Sequence, residues 1–122
     1  MILVGSDTMI TSAQINLLIG KTVEMICFAQ YSVYLHLEGR VTLTIESEFE
    51  SGLVDAERIQ RAKFPIRQSS LTRIVESLVT TAELNKDGNL RLLFSTGDSL
   101  QVLTQPPFES YRLRIGGEEF IA

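Results

Sequence analysis

The chain is poor in the residues that do chemistry. It has one histidine, one cysteine, no tryptophan and three prolines in 122 residues. A single cysteine, Cys27, excludes an intramolecular disulfide. One histidine with one cysteine excludes a His/Cys zinc set within one chain. There is no phosphate loop, no dinucleotide fingerprint and no nucleophile elbow. No run approaches the ~20 apolar residues that span a bilayer. The opening Met1-Ile2-Leu3-Val4-Gly5-Ser6-Asp7 lacks the basic flank and the apolar length of a signal peptide. These absences predict a soluble, cytoplasmic protein with no catalytic residue, no cofactor and no metal. Its compactness suggests a bacterial source.

What is present describes an ordinary globular chain. Hydrophobic residues make up 44% and charged residues 21%, which excludes wholesale disorder. At this length one domain is expected, burying roughly two thirds of the unfolded surface without a staple. The net charge of −4 disfavours nucleic acid, whose binding rests on cationic neutralisation of phosphates. It leaves room for a basic protein partner. Cys27 lies in Met25-Ile26-Cys27-Phe28, where a buried, inert thiol is expected.

One constant shift brings Ile15 onto Ile74, Thr22 onto Thr81, Glu24 onto Glu83, and Phe49-Glu50-Ser51 onto Phe108-Glu109-Ser110. Thr11-Ser12-Ala13-Gln14 has capping-box spacing, and Ile15, Leu18 and Ile19 follow at helical intervals until Gly20. Val33, Leu35 and Leu37 alternate, Glu38-Gly39-Arg40 turns, and Val41, Leu43 and Ile45 alternate again. That is a hairpin pairing Leu37 with Val41, Leu35 with Leu43 and Val33 with Ile45. In the second copy Ser69 or Ser70 caps a helix carrying Leu71, Ile74, Val75 and Leu78. Leu90, Leu92 and Phe94, then Leu100 and Val102, alternate on one face until Pro106-Pro107 stops the strand. Tyr111, Leu113 and Ile115 lead through Gly116-Gly117 into a closing hairpin.

The expected fold is α+β: two tandem helix-plus-antiparallel-meander repeats with pseudo-two-fold symmetry, forming a curved sheet or incomplete barrel packed with two short helices. The single domain covers 1–122, with one repeat over about 11–51, a connection over 52–68, a second repeat over about 69–110 and C-terminal strands over 111–122. The connection reads as strand plus loop, with Phe64-Pro65-Ile66 extended.

Gly20-Lys21-Thr22-Val23, Val41 to Phe49 and Leu100 to Leu113 together resemble a family of small, uncharacterised bacterial proteins with a duplicated helix-plus-hairpin unit. The resemblance implies no catalytic residue.

The clearest polar feature is Glu46, Glu48 and Glu50. On one strand these share a face, as a solvated edge guard, as an acidic strip for a basic partner, or as a cation or acid/base site. Tyr34 and His36 lie on the polar face of the first hairpin with Thr42 and Thr44, and Glu46 is near enough to orient a histidine base. Arg58, Arg61, Lys63, Arg67 and Arg73 concentrate positive charge mid-chain, read as pairing with the strip. Leu93 and Leu103 fall opposite Leu92 and Val102, so a helix or a protein interface covers them. The leading function is a non-catalytic protein-binding module, in its concrete form a bacterial immunity-type protein neutralising a basic toxin through Glu46, Glu48, Glu50, Tyr34 and His36. The alternatives are a self-associating structural protein, such as a homodimer through Leu93 and Leu103, and a hydrolytic enzyme using His36.

Overall fold

Alternating apolar and polar residues build strands through most of this chain. The structure, a computed structural model, describes residues 8–54, 58–62, 64, 70–104 and 110–122. In chain order the elements are β1 (Thr8–Met9), α1 (Ser12–Asn16), β2 (Val23–Phe28), β3 (Val33–Leu37), β4 (Val41–Ile45), β5 (Phe49–Leu53), β6 (Arg58–Ala62), a 3₁₀ segment (Ser70–Ile74), β7 (Val79–Leu84), β8 (Leu90–Phe94), β9 (Asp98–Val102), β10 (Tyr111–Ile115) and β11 (Glu118–Ile121). The expected α+β class is overturned. The fold is mostly β, in two antiparallel sheets, with one short helix and one 3₁₀ segment among the described residues. Among the described residues only the two-residue β1 pairs parallel, with β11.

The second helix fails for a local reason. Isolated helices need about 12–15 residues to be stable, and these segments have five each. In each region only two apolar residues three apart are buried: Ile15 and Leu18, and Leu71 and Ile74. Ile19, Val75 and Leu78, which helical spacing assigns to the buried face, are exposed. A three-residue interval is met by one tight turn, and in the second case that turn is 3₁₀. At α1, Gln14 Oε1 accepts the Thr11 backbone N–H at 2.9 Å.

The six-stranded sheet runs β1-β11-β10-β4-β3-β2, and the five-stranded sheet β6-β5-β9-β8-β7. Self-contained tandem units are not formed, because the two halves exchange their last strands. β5 pairs with β9, and β10 pairs with β4. The residue correspondence also differs from the constant shift. Val23 N–H donates to Ser77 O (2.9 Å) while Val79 N–H donates to Lys21 O (3.0 Å). Gly20 N–H donates to Val79 O and Glu76 N–H to Val23 O, both at 2.7 Å. Lys21 N–H reaches Leu18 O, and Ser77 N–H reaches Ile74 O. Val23 therefore corresponds to Val79 and Leu18 to Ile74, whereas the shift matched Ile15 with Ile74.

The first hairpin has the expected register, Leu37 on Val41, Leu35 on Leu43 and Val33 on Ile45. These six side chains are buried, and with Leu90, Leu92, Phe94, Leu100 and Val102 they form one core between the sheets. Phe49 and Tyr111, the first residues of the exchanged strands, are both fully buried. Tyr111 donates its hydroxyl to Gly88 O at 3.0 Å, and burial pushes its phenol well above the usual range. Cys27, expected to be buried, is half-buried on the outer row opposite Tyr34. The connection contains β6, antiparallel to β5. The expected cap at Ser69, the extended Pro65-Ile66 and the strand stop at Pro106-Pro107 lie outside the described residues.

Candidate functional site: a charged corner at an edge strand

β2 and β7 each end their sheet, and they are joined at one corner by an antiparallel bridge between Thr22 and Leu78. Each strand bulges just past this point, between Val23 and Met25 in β2 and between Val79 and Thr81 in β7. The corner is therefore built twice, once around Thr22 and once around Leu78, and the two versions can be compared residue by residue.

Their backbones match. Glu38 N–H donates to Thr22 O (3.0 Å), and Ser95 N–H donates to Leu78 O (2.9 Å). In return Glu38 Oε1 accepts the Thr22 N–H at 2.8 Å, and Ser95 Oγ accepts the Leu78 N–H at 3.0 Å. Gly20 and Glu76 both close a short helical turn in the left-handed region, at φ 88° and 74°. Arg40 and Gly97 do the same in the hairpin turns, at φ 62° and 89°.

Their side chains do not match. Around Thr22 stand Lys21, Glu24, Glu38, Arg40 and Glu76; around Leu78 the corresponding residues are Ser77, Thr80, Ser95, Gly97 and Gly20. Every position is charged in the first corner and uncharged in the second. Glu24, Glu38, Arg40 and Glu76 are exposed, and Lys21 is half-buried with its ammonium near Gly39. Carboxylates outnumber cations by three to two. Ile19, Val75 and Leu78 flank the corner and are exposed, at 47%, 37% and 43%. Sequence reading missed this corner because its charges come from separate elements. One sign was legible: Glu76 sits just past the end of a helical turn, where glycine is the usual residue.

The proposed acidic strip is divided by the fold. Glu46 follows β4 on the outer face of the six-stranded sheet, whereas Glu50 lies on β5 in the five-stranded sheet. Between them Ser47 is buried where the chain changes sheets. Arg112 grips Glu46 with two hydrogen bonds of 3.1 Å. Arg61 Nε donates to Glu48 at 2.7 Å, and Arg61 also stands opposite Glu50 in the ladder. Of the other mid-chain cations, Arg73 pairs with the buried Asp98, while the side chain of Arg58 and residues Lys63 and Arg67 lie outside the described residues.

The model of the Family of unknown function (DUF6188) matches residues 14–122, most of the chain. The chain belongs to that family. No curated protein and no solved structure matches it. The family description assigns no activity, so this member has to be read from its own geometry.

Tyr34 and His36 lie with Glu46 on the outer face of the six-stranded sheet, their rings stacked at 6.5 Å between centroids. His36 Nδ1 is 3.2 Å from Thr42 Oγ1, and Glu46, the carboxylate proposed to orient it, is held by Arg112. On the same face a hollow of about 260 Å³ is lined by Tyr34, Thr42, Thr44, Arg112, Arg114 and Glu119. Glu119 accepts from Arg114 at 3.2 Å, so its charges are already paired. Leu93 is half-buried in a second hollow of about 210 Å³ beside Val54 and Phe94. Leu103 is half-buried, and its N–H donates to Glu48 O. Among the described residues no group of three or more His, Cys, Asp or Glu is placed to hold a metal ion. Nor is any helix among them long and apolar enough to cross a membrane.

Proposed function

We propose that this chain is a non-catalytic protein-binding module whose partner is a basic protein, docked at the charged corner around Thr22. One observation carries this reading: the other half of the same joint, around Leu78, has uncharged residues at all five corresponding positions. Ser95 accepts the bond that Glu38 accepts, so folding does not require a carboxylate there. Gly20 adopts the left-handed conformation freely, whereas a side chain there, as at Glu76, costs about 1–2 kcal/mol. A strained, exposed, charged residue is a mark of use outside the fold. Exposed apolar side chains flanked by charge have the composition of a docking surface, and the net charge of −4 would speed encounter with a basic partner.

The concrete version is an immunity-type protein of the bacterial cytoplasm that occludes a basic toxin. Glu46, Glu48 and Glu50 take second place in this reading, because arginines of the same chain already face them. The test is a pull-down from the native lysate at low and high salt with three baits: the wild type, Glu24→Gln/Glu38→Gln/Glu76→Gln, and Glu46→Gln/Glu48→Gln/Glu50→Gln. A basic protein held at low salt by the wild type and the second variant, and lost by the first, is the expected result. Equal recovery on all three baits overturns the assignment.

A further inference from the structure

We propose that the partner docks by adding an extended strand to the outer edge of β2, placing two apolar side chains beside Phe28 and Ile26 and a basic one beside Glu24. The basic residue rests on the reading above. The strand addition stands on separate observations.

The first is a core row that runs out of cover. Val33 and Leu35 on β3 are fully buried. Their neighbours on β2, Phe28 and Ile26, face the same way but lie at the sheet's edge. Ile26 is half-buried and Phe28 is 41% exposed. One more strand would continue this row. On the outer side Met25 is 50% exposed, and Tyr31, in the turn after β2, is 66% exposed. Methionine, phenylalanine and tyrosine are the side chains that interfaces favour.

The second is the lack of protection on this edge. Proteins blunt exposed edges with shortness, charged side chains, Pro, β-bulges or a covering element. Among the described residues the other edges carry such devices: β1 has two residues, β6 carries Arg61, and α1 packs on β7. On β2 the bulge and the one charge sit at the start and the 3₁₀ segment touches the strand. Yet Met25-Ile26-Cys27-Phe28 beyond them has no charge, proline or bulge, and Met25 and Phe28 stay exposed. The one charge, Glu24, sits at the bulge beside the acid-rich corner. That charge selects the occupant. A basic segment supplies a cation to face Glu24, which the edge strand of a second copy, having none, does not. An antiparallel segment meeting Phe28, Ile26 and Glu24 in turn reads apolar-x-apolar-x-basic.

The test uses the full chain and a labelled peptide, Thr-Ile-Thr-Val-Ser-Arg-Thr, read by fluorescence anisotropy and by backbone amide NMR shifts. Saturable binding with shifts along Val23–Phe28 is expected. N-methylation of alternate peptide amides removes the ladder donors and leaves the charge, and it should weaken binding by at least about tenfold. The Glu24→Gln/Glu38→Gln/Glu76→Gln protein should bind the unmodified peptide about tenfold more weakly. If the N-methylated peptide binds as well as its parent, strand addition is overturned while the basic-partner reading survives. If N-methylation abolishes binding but the Gln protein binds normally, strand addition stands and the basic-partner reading falls. No saturable binding at millimolar peptide overturns the proposal. So does a concentration-dependent dimer whose β2 amides resist hydrogen exchange without peptide, since a second copy would then hold the edge.

Discussion

The corners around Thr22 and Leu78 share hydrogen bonds, bulges and left-handed turns, yet at the five matched positions only the first carries charge. An internal duplicate of this kind separates what a backbone needs from what has been added to it. The carboxylate of Glu38 and the hydroxyl of Ser95 show that the bonded position needs only an oxygen acceptor. Gly20 and Glu76 show that the turn needs only a left-handed φ. The surplus at the first corner is negative charge and strain.

The comparison can be broken first at the core it rests on. Leu35 and Leu92 hold corresponding central positions and are both fully buried. Leu35→Ala and Leu92→Ala should each cost about 2–5 kcal/mol in urea denaturation. If one were nearly silent, the two sheets would not be doing equivalent work. The next largest effect is at the turns. No atom stands within 4 Å of a Cβ added at Gly20, so Gly20→Val should lose about 1–2 kcal/mol through backbone strain alone. Glu76→Gly should do the reverse, gaining about 0.5–1 kcal/mol by thermal or urea melting.

Tyr111 supplies a pH test. Its raised pKa means the folded state holds the neutral phenol, so this stability is fully present below the unfolded value of about 10 and is lost as pH rises beyond it. Tyr111→Phe should cost about 0.5–1.5 kcal/mol near neutrality and flatten the fall in stability above that pH. A wild type that shows no alkaline loss would contradict the buried phenol. The smallest effect sharpens the comparison most. Glu38→Ser copies the neutral corner and should change stability by no more than about 0.5 kcal/mol. A larger loss would give the carboxylate a folding role and weaken the functional argument.

Much of the strand pattern was legible. Alternation through Val33, Leu35 and Leu37 placed the first hairpin and its register, because a one-residue slip would have put aliphatic side chains into water. The helices were overread, since a few apolar residues at three- and four-residue spacing fit a single turn as well as a helix. The exchange of strands left no trace in the pattern. Ile45, Ser47 and Phe49 are all buried, so the alternation runs unbroken through the point where the chain changes sheets. That continuity is also why Glu46, Glu48 and Glu50 read as one strip. The charged corner was illegible because Glu24, Glu38 and Glu76 come together through backbone bonds between distant segments.

The exchanged strands make the molecule a clasp. β5 lies in the sheet built mainly by the second half, and β10 in the sheet built mainly by the first. A single cut between β6 and the 3₁₀ segment would leave two pieces, each holding two strands that belong in the other's sheet. Neither piece could cover its own apolar face, and Phe49 and Tyr111 would each lose the core that encloses them. Such pieces should be unstructured apart and fold on mixing, so that folding itself reports their encounter.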